Sequence, residues 1–359
     1  MPIRDPGRVL IVTDNDRIGQ AESLAAALQK RGTQARVFYS IPCNTRFDRY
    51  IIHPVNHYAN TLRLVSKHTN LFQGHPKSHK EFRSAQLRRL CQEYRPELLV
   101  LLRGRLGFTH AALAEVKREA RLFCWFIEGD HLVREIAEEA VLYDRLYTIS
   151  TEALAWAERQ GLREVSLLQH AVDTDRFFPM SLPKVHDWCF LGGWSPRRQT
   201  YLRALLQVSA RCVIYGAGWR RRAWRSPRLW LQVYGRGIWG PAVNRLYNQC
   251  RVVINVSSWQ ETGRGPAGLN MRFLEVPAAG ACLLSDYAGD AERLLRRGEE
   301  FMSADTPEEM QAKLAQLLAD DAERERVARR GRETASGVRT YSHVAEELCR
   351  DWSRCEGSA

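Results

Sequence analysis

A chain of 359 residues is about twice the usual single-domain size, so two domains or one large α/β domain are expected, each burying a full core. With 45% hydrophobic and 26% charged residues the composition excludes disorder, and no window nears the roughly 18 consecutive apolar residues of a membrane span. The net charge of +12, with only seven lysines among 53 basic residues, suits an acidic partner but does not choose among phosphorylated small molecules, anionic lipid and nucleic acid.

The first residues run directly into an apolar strand without a secretory h-region, and nine cysteines lie scattered and odd in number, so a cytoplasmic location is expected. His75 and His79 share helical spacing but have no cysteine or carboxylate cluster beside them, and no metal is expected.

In chain order, Val9–Val12, a helix over Ile18–Lys30 and Ala35–Tyr39 make a βαβ opening. A helix over Phe82–Tyr94, the strand Leu98–Leu102, a helix over His110–Glu119 and the strands Leu122–Phe126, Leu146–Thr148 and Val165–Leu168 follow. Periodicity stops over Asp173–Val185, a linker. A second alternating unit then has strands at Trp188–Leu191, Cys212–Tyr215, Val252–Val256 and Ala281–Ser285, with helices over Arg198–Val208, Ala242–Gln249 and Asn270–Ala278. The tail from Pro307 to Arg350 is helical. Alternation of this kind builds parallel sheets covered on both faces, with ligand crevices at the carboxyl ends of the strands. The expected domains are residues 1–175, residues 186–340 and a closing helix over 341–359.

The turn Thr13–Gly19 lacks the glycine spacing of a dinucleotide site, which argues against nicotinamide chemistry; Asp14 or Asp16 caps the next helix or lines the crevice. The run Trp188-Cys189-Phe190-Leu191-Gly192-Gly193-Trp194-Ser195-Pro196-Arg197-Arg198 is a buried strand ending in two glycines before a helix that opens with two arginines. Glycine backbone amides, a helix start and arginine all suit a phosphate. A second glycine turn, Gly216-Ala217-Gly218, serves equally as a tight turn. The Arg220–Trp230 segment mixes arginine with tryptophan, which suits bases, anionic lipid, an acceptor or solvent. No nucleic-acid-binding module appears elsewhere. Finally, glycines before Asn270-Met271-Arg272-Phe273-Leu274-Glu275 open a helix with a carboxylate one turn in, an arrangement suited to a nucleotide's pyrophosphate and ribose.

The run Asn270–Glu275 to Gly280, Leu283–Tyr287, Gly298-Glu299-Glu300 and the helix from Thr340-Tyr341 resemble the donor domain of GT-B glycosyltransferases. Within these they look like the spore-maturation-type, family-4-like group. Arg95–Leu98, Arg103-Gly104-Arg105, Trp125–Asp130 and His170–Asp173 extend the resemblance over roughly Leu98–Trp352. It implies an α/β fold of two Rossmann-like domains facing across a cleft, with C-terminal helices packing back toward the first. It also implies a UDP-, GDP- or dTDP-sugar as donor and no permanently bound cofactor. Donor contacts would come from Gly192, Gly193, Arg197, Gly216, Asn270, Met271 and Arg272, with Glu275 on ribose. Glu128, Asp130 and His131 would serve the acceptor side, Asp130 being the preferred base of an inverting enzyme. Ala267 stands eight residues before Glu275, where many retaining members carry a second glutamate, so retention and inversion both stay open. The acceptor would be a hydroxyl of a glycan, lipid, protein or secondary metabolite. A peripheral contact with an anionic surface, at the inner membrane face, is a further expectation for the charge; a nucleic-acid partner is not expected. The competing reading is a non-catalytic protein binding nucleic acid or an anionic surface through residues 219–230.

Overall fold

The computed structural model describes residues 4–14, 17–40, 44–66, 71–103, 107–128, 139–257, 268–287 and 289–357. Two compact units result: Met1–Thr148, Ala153–Leu168 and Ala345–Ala359 form one, and Ile149–Glu152 with Gln169–Val344 the other. Among the described residues no helix is long and apolar enough to cross a membrane.

The first unit's strands are β1 (Arg8–Thr13), β2 (Gln34–Tyr39), β3 (Leu98–Leu102), β4 (Arg121–Phe126), β5 (Arg145–Thr148) and β6 (Val165–Leu167). They form one sheet in the order β2-β1-β3-β4-β5-β6, every pair parallel. All five residues of β3 are 0–1% exposed, as a strand covered on both faces requires. Burying each such Leu or Val contributes about 2 kcal/mol, which is why a continuous apolar run settles in the middle of a sheet. Residues Ala345–Ala359 are tied into this unit by Tyr147 Oη donating to Asp351 at 2.9 Å and by Arg121 pairing with Glu356 at 2.9 Å.

The second unit's strands are β7 (His186–Leu191), β8 (Cys212–Tyr215), β9 (Val233–Gly235), β10 (Cys250–Asn255), β11 (Cys282–Ser285) and β12 (Met302–Ser303). Their order is β12-β11-β10-β7-β8-β9, again parallel throughout. Numbered within the unit this is 6-5-4-1-2-3, the Rossmann order, so the order reverses between β7 and β10. Cys189, Val213, Val253 and Leu283 join Phe273, Leu274 and Val276 of the Arg272–Ala278 helix in one apolar layer. Trp188, Phe190, Ile214, Val252, Ile254 and Leu284 face the other way, against Leu202 of the Pro196–Leu205 helix and Leu314 of the Pro307–Ala319 helix. Seven of the eight described cysteines are buried core residues.

The edge strands β9 and β12 have no counterpart in the expected elements. Each has only two or three residues, too few to show an alternating pattern. The helical stretch Asp48–Thr61 is also new; it carries Pro54 and many polar residues, which mask its period.

Candidate functional site

In the second unit the carboxyl ends of β7, β8, β10 and β11 carry most of the residues singled out by sequence. Ser195 caps the helix after β7, its Oγ accepting from the Arg198 N–H at 3.3 Å, and Pro196 occupies the first turn, where its missing N–H does no harm.

The two glycine turns serve different ends. Past Leu191 the ladder continues, Gly192 N–H donating to the Tyr215 carbonyl at 2.8 Å and Trp194 N–H to that of Ala217 at 2.8 Å. A Cβ on Gly216 would lie 1.8 Å from the Gly192 carbonyl oxygen, so Gly216 is required by the close approach of the two turns. The same carbonyl accepts from the buried Trp219 indole at 2.8 Å. Among the described residues a Cβ on Gly193, by contrast, would find only the Ala217 carbonyl oxygen, at 3.8 Å, and the φ of Gly193 is not positive. Neither packing among the described residues nor backbone conformation calls for glycine at 193.

Where the strand order reverses, Arg272 spans the two strand ends. Its guanidinium donates to the carbonyl of Leu191, the last residue of β7, at 2.6 Å and to Oδ1 of Asn255, the last residue of β10, at 2.9 Å. Asn255 is fully buried and donates to Ser285 Oγ at 3.0 Å. Asn270 donates to both Asn255 Oδ1 (3.1 Å) and Tyr287 Oη (2.9 Å), and its own Oδ1 accepts the Arg272 N–H at 3.0 Å. This satisfied network fixes the loop before the Arg272–Ala278 helix, and Met271, partly exposed, precedes the first turn.

Arg197 sits one turn from Tyr201 and donates to it at 2.9 Å and to Asp286, after β11, at 2.9 Å. The Asp286 side chain is fully buried and also accepts the Ser257 N–H at 2.9 Å. Burial pushes the Asp286 carboxyl up, while the Ser257 N–H and Arg197 pull it down. Arg198 turns the other way, donating to the carbonyls of Val256 (2.8 Å) and Gly193 (2.9 Å). Asp286→Ala is expected to cost about 3 kcal/mol, since it strips a buried N–H and a partly buried guanidinium of their acceptor. Urea unfolding measures it; an unchanged midpoint would show that Tyr201 alone suffices to hold Arg197.

Glu275 lies on the buried side of its helix, 9% exposed, and no hydrogen bond or ion pair reaches its carboxylate among the described residues. Burial raises its pKa to about 7 against the opposing pull of Arg272 and Arg176. A buried carboxyl without donors is costly unless something supplies them.

In the first unit the order reverses between β1 and β3. There Arg103, in left-handed backbone at φ 86°, pairs with Glu128 at 2.5 Å and with Asp14 at 3.1 Å. Asp130 and His131 lie outside the described residues. No group of three or more His, Cys, Asp or Glu that could hold a metal occurs among the described residues.

Sequence reasoning did not single out the roles of Asn255, Ser257, Ser285, Asp286 and Tyr287. The available signal was a polar residue at the carboxyl end of each apolar run, Asn255 after Val252–Ile254 and Ser285-Asp286 after Cys282–Leu284.

Residues 197–350 match the sequence profile of a glycosyl transferase-like family. No curated protein matches the chain significantly. Among solved structures it is similar to HepE of Anabaena, crystallised with UDP and glucose, at 14% identity over 96% of this chain and 99% of that one, with a TM-score of 0.65. A sucrose-phosphate synthase of Thermosynechococcus elongatus matches at 12% identity over 98% and 100%, TM-score 0.69. A glycosyltransferase of Rickettsia africae matches at 10% over 98% and 99%, TM-score 0.60. At such identities the likeness concerns fold, and the chain has the GT-B fold over essentially its whole length.

Proposed function

We propose that the protein is a glycosyltransferase that moves a sugar from a nucleotide-diphosphate sugar to a hydroxyl acceptor. The observation that carries this reading is Glu275: a buried carboxylate that no hydrogen-bond donor reaches among the described residues, on the helix whose Arg272 spans the strand-order reversal of the second sheet. A ribose supplies two hydroxyl donors to one carboxylate. The unobstructed Gly193 backbone is where a pyrophosphate would lie, with Gly192 and Gly216 holding that turn in shape. The glycosyl transferase-like profile over residues 197–350 and the UDP and UDP-glucose complexes of HepE support the same assignment, and make a UDP-sugar the first donor to try.

In this reading the C1–O bond to the diphosphate breaks as the acceptor oxygen bonds to C1, and the nucleoside diphosphate leaves with the electron pair. Arg197, Arg272 and the amides of Asn270 and Met271 offset its charge, so the reaction runs without a divalent cation. If the enzyme inverts, the acceptor's proton passes to a carboxylate: Asp130 is our candidate, His131 is its neighbour, and Glu128 is held by Arg103; a retaining course needs no such base, and the departing diphosphate takes the proton. Both stereochemical courses remain within this proposal, as does the spore-maturation-type subgroup.

The test is release of nucleoside diphosphate from UDP-, GDP- and dTDP-sugars in EDTA, with simple glycosides as acceptors. Turnover with one donor base, abolished in Glu275→Ala, is expected. Turnover only after addition of Mg²⁺ would overturn the cation-free mechanism, and no turnover by wild type with any donor or acceptor, with or without Mg²⁺, would count against the transferase.

A further inference from the structure

The excess positive charge of this chain comes from one stretch. Between Asp187 and Glu261 there is no acidic residue and there are twelve arginines, equal to the net charge of +12. Four are committed inside the fold: Arg197 to Asp286, Arg198 to two carbonyls, and Arg211 and Arg251 to Asp187. Arg203, Arg225 and Arg228 have no carboxylate partner among the described residues. Together with Ser226 they line a depression of about 290 Å³.

The segment around them is a folded rim. Two short helices, Trp219–Arg222 and Pro227–Trp230, lead into the edge strand β9, and Trp219, Ala223 and Leu229 are fully buried beneath them. Among its exposed arginines the rim also turns apolar side chains outward: Trp224 is 63% exposed, Trp230 41% and Leu231 68%. Arg225 lies over the Trp224 ring at 5.0 Å, so cation and aromatic present themselves together. Exposed apolar groups rimmed by charge mark an interaction surface, and a bare leucine beside tryptophans suits the headgroup boundary better than a nucleic acid, since leucine neither stacks on a base nor binds phosphate.

We infer that this rim docks on an anionic bilayer, with Arg203, Arg225 and Arg228 taking lipid phosphates in the depression while Trp224, Trp230 and Leu231 enter the interface. The inference is independent of the transfer chemistry. It is tested by co-sedimentation of the full chain with phosphatidylcholine vesicles, with and without about one third phosphatidylglycerol. Binding to the anionic vesicles alone is expected, weakened roughly a hundredfold in R203A/R225A/R228A, at about a factor of five per arginine. W224S/W230S is expected to bind more weakly and to lose the salt-resistant part of the interaction. Unchanged melting temperatures of both variants check that the fold is intact. Equal binding to neutral vesicles, retention by the arginine variant, or a preference for single-stranded oligonucleotide over anionic vesicles at the same ionic strength would overturn it.

Discussion

Glu275→Gln is expected to stabilise the ligand-free protein by about 3 kcal/mol at pH 8 and, in the same variant, to weaken nucleoside diphosphate binding about a hundredfold. Burial raises the carboxyl from the usual 4.5 to about 7 in the folded state. Between these values the unfolded chain has released the proton and the native chain still holds it, so native stability falls as pH rises through this window. The loss is complete above about pH 7, and below about pH 4.5 it vanishes. Glutamine, neutral at every pH, escapes it; the two proteins should therefore have equal urea midpoints at pH 4 and differ most at pH 8. Ribose hydroxyls donate to the ionised form, so nucleotide binding lowers the carboxyl's pKa and releases its proton. Wild-type affinity, relative to the variant's, should rise with pH to about 7 and then level. A glutamate that weakens the empty protein yet is needed by the ligand fits a binding site; equal affinities in the two proteins would make Glu275 a buried acid without that role.

The second large effect separates two glycines 23 positions apart in a single turn pair. Gly216→Ala forces a Cβ to 1.8 Å from the Gly192 carbonyl oxygen, so the turns must part and the Trp219 indole loses its acceptor. A cost of about 4 kcal/mol or more is expected, seen as a large drop in unfolding midpoint. Among the described residues Gly193→Ala meets nothing nearer than 3.8 Å, and it should fold within about 0.5 kcal/mol of wild type. It should nevertheless bind a nucleoside diphosphate at least roughly tenfold more weakly, because the added methyl occupies the approach to the backbone. Full affinity in a well-folded Gly193→Ala would place the diphosphate elsewhere.

The parallel sheets were legible because interior strands are unbroken apolar runs: Leu98–Leu102 and Cys212–Tyr215 stand where the pattern puts them. The Ser195-Pro196 start of a helix was equally plain, since the cap and the proline act locally. Less could be read of the candidate site. The glycine turns mark its place, but which glycine answers to packing depends on β8 lying against β7. The partner of Arg197 is 89 residues away, and the bond from Arg272 to Leu191 crosses 81. No local period encodes such pairs. The Arg220–Trp230 stretch read equally as a solvated loop or a surface, and only the burial of Trp219, Ala223 and Leu229 shows it to be folded.

The most direct measurement is a thermal-shift and calorimetric titration of the purified protein with UDP, GDP, dTDP, ADP and CMP in EDTA, repeated with Mg²⁺. Saturable binding of one nucleoside diphosphate to one site is expected without added cation, with the shift lost in Glu275→Ala. Silence across the nucleotides, accompanied by stabilisation with an oligonucleotide, would contradict it.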